Sequence, residues 1–168
     1  VNTLLGLGSF PGSHDLSLGM LGMHGTAYAN KAVEHCDLIM SIGSRWDDRI
    51  TGKIQEFCPD AIKIHIDIDR AEINKVMEVH AHVNGDARFV LEELTPQVRQ
   101  LDTSDWLKRI SSWKKKYPLK YKKQGGLKMQ YIFDELYKVT KGNAIVTSDV
   151  GQHQMWAAQF YKFDEPRQ

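Results

Sequence analysis

Two short runs hold the side chains best suited to chemistry. Gly43-Ser-Arg-Trp-Asp-Asp-Arg49 follows the apolar stretch Leu38–Ile42, and His65-Ile-Asp-Ile-Asp69 closes the alternating stretch Ile62–Ile66. Glycine lets the backbone turn or approach a ligand closely, and the charges that follow it are ones a buried sheet does not hold unpaired. Residues placed just after a strand fall in the crevice at the carboxyl ends of an open parallel sheet, where ligands bind. Asp67 is suited to accept hydrogen bonds from a ribose or adenine group, and Trp46 offers a stacking surface. By residue type alone, Arg45, Asp47, Asp48 and Arg49 equally suit a solvated cluster, whose pairs contribute about 0–1 kcal/mol. Asp67 likewise suits a turn or a helix cap. Placement at two successive strand ends favours the ligand reading.

A third stretch, Leu18-Gly-Met-Leu-Gly-Met-His-Gly25, interleaves glycines with Met20, Met23 and His24. The glycines admit a flat ligand close to the backbone and the thioethers offer polarizable contact, although a Gly-rich turn with core methionines fits the segment as well. The stretch leads into a helix that Thr26 can cap, whose first amides suit an anion. Gly6-Leu-Gly8-Ser-Phe-Pro11-Gly12 is not read as a dinucleotide fingerprint. Its third glycine is out of step and Pro11 obstructs the helix that would hold a pyrophosphate, so a strand ending in a Gly/Pro turn is expected there.

These residues need elements to position them. Leu4 to Leu101 alternates strand-like and helix-like patches, the pattern of a parallel α/β sheet. A helix is expected from Thr26 to His35, then strands Leu38–Ile42, Ile62–Ile66 and Ala81–Val83. Asp69 with Glu72 resembles a capping box opening a short helix, and Phe89, Val90, Leu94, Val98 and Leu101 trace one helical face. Ser104 and Asp105 start a helix with Trp106, Ile110 and Trp113 on one stripe, which Pro118 ends. The polar Tyr121-Lys-Lys-Gln-Gly-Gly126 reads as a linker. A new unit follows, with helix Met129–Val139, strand Ala144–Thr147 and a second charged strand end at Asp149–Gln154.

The 168 residues, 42% hydrophobic and 26% charged with a net charge of +1, describe a globular protein with no overall pull toward nucleic acid or membrane. No apolar run approaches the roughly 20 residues of a spanning helix, and Val1–Gly6 does not read as a signal peptide. The basic, aromatic run Trp113–Lys123 reads as a solvated helix end rather than a nucleic-acid module. Cys36 and Cys58 lack the spacing of a zinc site and read as reduced, buried thiols, which fits a cytoplasmic setting. His35, His80 and His82 have no ligand spacing, and no metal ligand is assigned.

Taken together, four motifs closely resemble the acetolactate synthase (acetohydroxyacid synthase) catalytic-subunit family. They are Leu18-Gly-Met-Leu-Gly-Met-His-Gly-Thr26, Gly43-Ser-Arg-Trp-Asp-Asp-Arg-Ile-Thr-Gly-Lys53, His65-Ile-Asp-Ile-Asp69 and Ser148-Asp-Val-Gly-Gln-His-Gln-Met-Trp156, in family order. The resemblance implies a partial Rossmann-like parallel sheet with flanking helices at 1–101, the later part of an FAD-binding central domain. It implies a helical linker at 102–127 and the first elements of a thiamine-diphosphate-binding α/β domain at 128–168. FAD contacts are implied for Leu21, Gly22, Met23, His24, Gly43, Ser44, Arg45, Trp46, Asp47, Asp67, Ile68, Asp86 and Ala87. Gln152 and His153 match the pair that approaches thiamine diphosphate, and Met23, Asp48 and Arg49 match positions near the substrate channel. Trp46 stands where the family usually has Phe.

The implied reaction condenses a pyruvate-derived hydroxyethyl group with a second 2-oxo acid, pyruvate or 2-oxobutyrate, in branched-chain amino-acid biosynthesis. FAD has no net redox role in it. The implied assembly is a homodimer or tetramer, with a small regulatory subunit as a further partner, in the cytoplasm or a eukaryotic organelle. The family's activating glutamate lies before Val1 and its magnesium motif beyond Gln168, so these residues by themselves are expected to be a fragment without activity and no catalytic residue is assigned. Two other readings stay open: a stand-alone flavin- or nucleotide-binding module, and another thiamine-diphosphate-dependent carboligase or decarboxylase. Asp149–Trp156 is the stretch a flavin module has no reason to carry.

Overall fold

In the computed structural model, which describes residues 1–122 and 124–168, the three apolar runs form one parallel sheet. Lys123, in the expected linker and at the end of the basic run, lies outside the described residues. β1 (Leu38–Ile42), β2 (Ile62–Asp67) and β3 (Ala81–Asn84) lie in the order β1-β2-β3. Leu38 pairs with Ile62 and Ile42 with Ile66, while Ile64 pairs with Ala81 and Asp67 with Asn84. Being parallel, all three strands deliver their carboxyl ends to the same side. The central strand buries Lys63, His65, Ile66 and Asp67, whereas all four residues of β3 are exposed along its edge.

The chain divides into two compact units, Lys31–Ser112 and Val1–Asn30 with Trp113–Gln168. The sheet lies in the first of these. There α2 (Asp48–Thr51) and a 3₁₀ turn at Ile54–Glu56 cross from β1 to β2, and a 3₁₀ turn at Arg70–Glu72 precedes β3. Asp69 Oδ1 accepts from Ala71 N at 2.9 Å, as a cap should. Glu72 does not return the bond of a capping box; its carboxylate is 2.7 Å from Lys75 Nζ. After β3, α3 runs over Ala87–Leu94 and then tightens into a 3₁₀ turn at Thr95–Gln97. The expected single face out to Leu101 therefore breaks. Thr95 Oγ1 takes the Leu91 carbonyl at 2.6 Å and Pro96 brings no N–H, so Val98 and Leu101 fall outside the helix and are exposed.

Two helices span the boundaries between the units. α1 (Ala27–Glu34) buries Ala29, Ala32 and Val33, a stripe at helical spacing. α4 (Ser104–Lys116) carries Trp106, Ile110 and Trp113 and stops before Pro118, as expected.

In the unit formed by both ends of the chain, α5 (Met129–Thr140) packs against α6 (Gln152–Phe160). Tyr137 meets Tyr161 edge-on at 5.4 Å, and the hydroxyls of Thr140 and Tyr161 are 3.1 Å apart. α5 ends where Lys141 turns left-handed. The strand expected at Ala144–Thr147 does not form. The run is extended and β-branched, but no strand pairs with it among the described residues, and Val146 N instead reaches Gln168 O at 3.3 Å. The strand expected before Gly6 likewise shrinks to one bridge between Asn2 and Met20, followed by turns. No helix among the described residues is long and apolar enough to cross a membrane.

Candidate cofactor site

The Lys31–Ser112 unit collects most of the expected contacts at the carboxyl ends of its strands. Gly43 ends β1 with φ +64°, its N–H donating to Ile66 O at 2.8 Å, and open space stands where a Cβ would be. Only glycine adopts this turn without strain. Ser44 follows, its carbonyl 3.3 Å from Ser41 Oγ. Asp47 caps α2 through Oδ1 to Arg49 N at 3.0 Å, while its Oδ2 is 3.3 Å from the Arg45 guanidinium. The Arg49 amide bond, reinforced by Asp48 and the two arginines, holds the Asp47 carboxyl below its ordinary range. Arg45, Asp48 and Arg49 extend into solvent, the last two paired at 3.8 Å.

At the next strand end Asp67 is buried. Its Oδ1 accepts from Asp69 N at 2.8 Å and its Oδ2 lies 3.5 Å from His65 Nε2. The turn role and the ligand role are thus compatible, because one carboxylate oxygen shapes the turn and the other is not used by it. Ile68 projects outward. Asn84 Nδ2 bridges the carbonyls of Asp67 and Ile68 at 2.9 and 3.0 Å, and Gly85 N adds a bond to Asp67 O. Asp86 then caps α3, accepting from Arg88 N at 2.9 Å, and Ala87 is the first helical residue.

Trp46 is not the stacking surface its residue type suggested. Its side chain is 3% exposed and meets Phe57 and His65 edge-on at 6.0 and 5.7 Å, at a backbone φ of +57°. The left-handed backbone turns the indole inward, which leaves only the peptide groups of residue 46 to face a ligand. Trp46 Nε1 and both nitrogens of His65 are buried without a hydrogen-bond partner.

The other unit holds the remaining positions. Leu21 and Gly22 are buried, whereas Met23 (64% exposed) and His24 project from the turn. The turn is closed by Gly25 N to Gly22 O and Thr26 N to Met20 O, both at 3.0 Å. A Cβ on Gly25 would meet the Met20–Leu21 backbone at 2.5 Å, so the turn is this tight because residue 25 is glycine. Thr26 Oγ1 accepts from Ala29 N at 3.1 Å and donates to Leu18 O at 3.0 Å, the expected cap. Gln152 and His153 begin α6, which has no side-chain cap, and the His153 ring folds back over Gly151.

Several residues that hold these positions were not legible from the sequence. Asn30 clamps Gly22 from both sides, accepting from its N–H at 2.8 Å and donating to its carbonyl at 2.9 Å. Gln159 Nε2 donates to His24 O at 2.7 Å, joining α6 to the Met-His turn. Amide side chains reach partners distant in sequence without any local pattern. Asn84, one residue past the expected strand Ala81–Val83, is the last residue of β3, and its bonds to Asp67 O and Ile68 O are of the same long-range kind.

The sequence matches the family described as thiamine pyrophosphate enzyme, central domain, over residues 1–94. The chain belongs to this family. As a thiamine pyrophosphate enzyme central domain with further residues after it, it is similar to plant and bacterial acetolactate synthases. It is 48% identical over 174 residues to acetolactate synthase 3, chloroplastic, of Brassica napus, covering 99% of this chain and 27% of that protein. The large subunit of Escherichia coli (strain K12) isozyme 3 is 45% identical, with 99% of this chain and 30% of the relative covered. The Buchnera aphidicola large subunit (subsp. Acyrthosiphon pisum) is 44% identical over 98% of this chain and 30% of its own length. The chain thus spans less than a third of the curated relatives it matches, and the family resemblance carried by the four motifs extends over nearly all of it.

Proposed function

We propose that these residues are part of an acetolactate synthase catalytic subunit, a thiamine-diphosphate-dependent transferase that joins a pyruvate-derived two-carbon unit to pyruvate or 2-oxobutyrate. Residues 1–101 supply the later part of an FAD-binding central domain, 102–127 a helical linker and 128–168 the start of the thiamine-diphosphate-binding domain. The observation that carries the reading is the convergence of Gly43–Asp47, Asp67–Ile68 and Asp86–Ala87 at one end of a parallel sheet, each held there by its own turn or cap.

The residues present fit FAD. Open space over Gly43 admits close approach, Arg45 offers a guanidinium to an anionic group, and Asp67 retains a carboxylate oxygen for a hydroxyl or amine. The peptide groups of Ser44 and Trp46, with Ile68, Asp86 and Ala87, complete that edge. Leu21, Gly22, Met23 and His24 are assigned to the same cofactor. By the family resemblance, Met23, Asp48 and Arg49 are assigned to positions near the substrate channel. Gln152 and His153, at the uncapped start of α6, fit a role beside thiamine diphosphate. That cofactor supplies decarboxylation and carbon–carbon bond formation. Magnesium is assigned to no residue of this chain.

Substrates are 2-oxo acids, and the assembly is a homodimer or tetramer that can bind a small regulatory subunit, in the cytoplasm or an organelle. The complete polypeptide carrying these residues is expected to form acetolactate from pyruvate when FAD, thiamine diphosphate and magnesium are supplied, and residues 1–168 alone are expected to form none. No product from the complete polypeptide with all three present overturns the reading. Product from the 168 residues alone overturns the division of the site.

A further inference from the structure

The two cysteines, 22 positions apart in sequence, come together at the amino-terminal side of the sheet. Cys36 stands two residues before β1, and Asp37 O accepts from Ile62 N at 2.8 Å, which places it beside the start of β2. Cys58 reaches the same place through a tight turn. Its backbone is left-handed (φ +37°), and its carbonyl accepts from Ala61 N at 3.2 Å and from Lys63 Nζ at 2.8 Å. Lys63 is buried, and its Nζ also donates to Ala61 O at 3.3 Å, which ties the turn at Cys58 to the start of β2. Cys58 is buried and Cys36 half-buried, and both are free.

We propose that Cys36 and Cys58 are an oxidative modification site: a peroxide reacts at Cys36 and the product is captured by Cys58 as a reversible intramolecular disulfide.

The asymmetry of the pair sets the order of events. The two thiol side chains are in hydrogen-bond contact, which holds the Cys36 thiol below its ordinary range against the opposing effects of burial and of Asp37. The same contact, with burial, pushes the Cys58 thiol up. Cys36 Sγ also donates to Val33 O at 3.1 Å. The more ionised and more accessible sulfur is therefore Cys36, and the thiolate is the nucleophile. It attacks one peroxide oxygen, the O–O bond breaks, and the other oxygen leaves as water, so Cys36 becomes a sulfenic acid. The Cys58 sulfur then attacks the Cys36 sulfur, the S–O bond breaks, and hydroxide leaves with the Cys58 proton as a second water. Two thiols and one hydrogen peroxide give one disulfide and two waters. The bond would close a ring of chain from 36 to 58 that contains β1 and the whole Gly43–Arg49 run, at the opposite strand ends from that run.

The test uses the full chain and hydrogen peroxide, followed by alkylation and non-reducing peptide mapping. The expected product is a monomer with linked Cys36 and Cys58 peptides, lighter by two hydrogens and restored by dithiothreitol. In Cys58→Ser the sulfenic acid should accumulate on Cys36 and be trapped by dimedone, whereas in Cys36→Ser residue 58 should stay a thiol. If either variant fails to fold, the unsubstituted chain still decides through its order of alkylation, Cys36 before Cys58. Exposed Met23 reports that oxidant was delivered. Recovery of both cysteines as thiols after Met23 has become sulfoxide, linkage only between chains, or faster alkylation of Cys58 overturns the proposal.

Discussion

Trp46 combines three conditions that oppose one another. It has a left-handed backbone, a sealed side chain and an indole N–H with no acceptor. A buried donor without a partner costs about 1–3 kcal/mol, which the edge contacts with Phe57 and His65 and the burial of the ring must outweigh. Trp46→Ala removes those contacts and is expected to lower stability by about 3–5 kcal/mol. Trp46→Phe keeps an aromatic edge and deletes the unpartnered donor, so its loss should be less than half as large. The backbone strain is common to both variants and does not affect the comparison. Denaturant unfolding of the three proteins measures it, and equal losses for Phe and Ala would show that the ring contacts contribute little.

At the scale of elements, the caps decide where the loops stand. Thr26 is buried, and its hydroxyl bonds both to the first turn of α1 and to Leu18 O, so it fixes the Met-His turn to the helix behind it. Thr26→Ala breaks both and is expected to cost about 1–2 kcal/mol, whereas Thr26→Ser keeps the hydroxyl and should restore most of the difference in thermal unfolding. A matching loss in Ser would assign the effect to packing of the methyl group. Elements of this kind were the legible part of the sequence, because their signals are local: the Thr26 cap, the alternation of Ile62–Ile66, the charges after Gly43. What was not legible depends on neighbours in space. Ala144–Thr147 has strand-like residues but no pairing strand among the described residues, and the face begun at Phe89 is cut by Pro96 before Val98. Likewise the inward turn of Trp46 and the clamp of Asn30 on Gly22 follow from backbone geometry and long-range bonds that spacing does not encode.

For the molecule as a whole, the three-stranded sheet leaves β3 exposed along all four residues, and Leu38 and Ile42 are exposed on the strand at its other side. Unpaired N–H and C=O groups on such a strand accept another strand readily, and charge on an edge position opposes it. Residues 1–168 are therefore expected to associate increasingly with concentration in sedimentation velocity, and Val83→Lys to shift the distribution toward monomer. A single monomeric species at all concentrations, with or without Val83→Lys, would show that the edge is not used. Where strands do add, the bare flank of β3 makes protein concentration a hidden variable: for any ligand that binds the single and the associated chain unequally, the apparent dissociation constant drifts with the amount of protein in the cuvette.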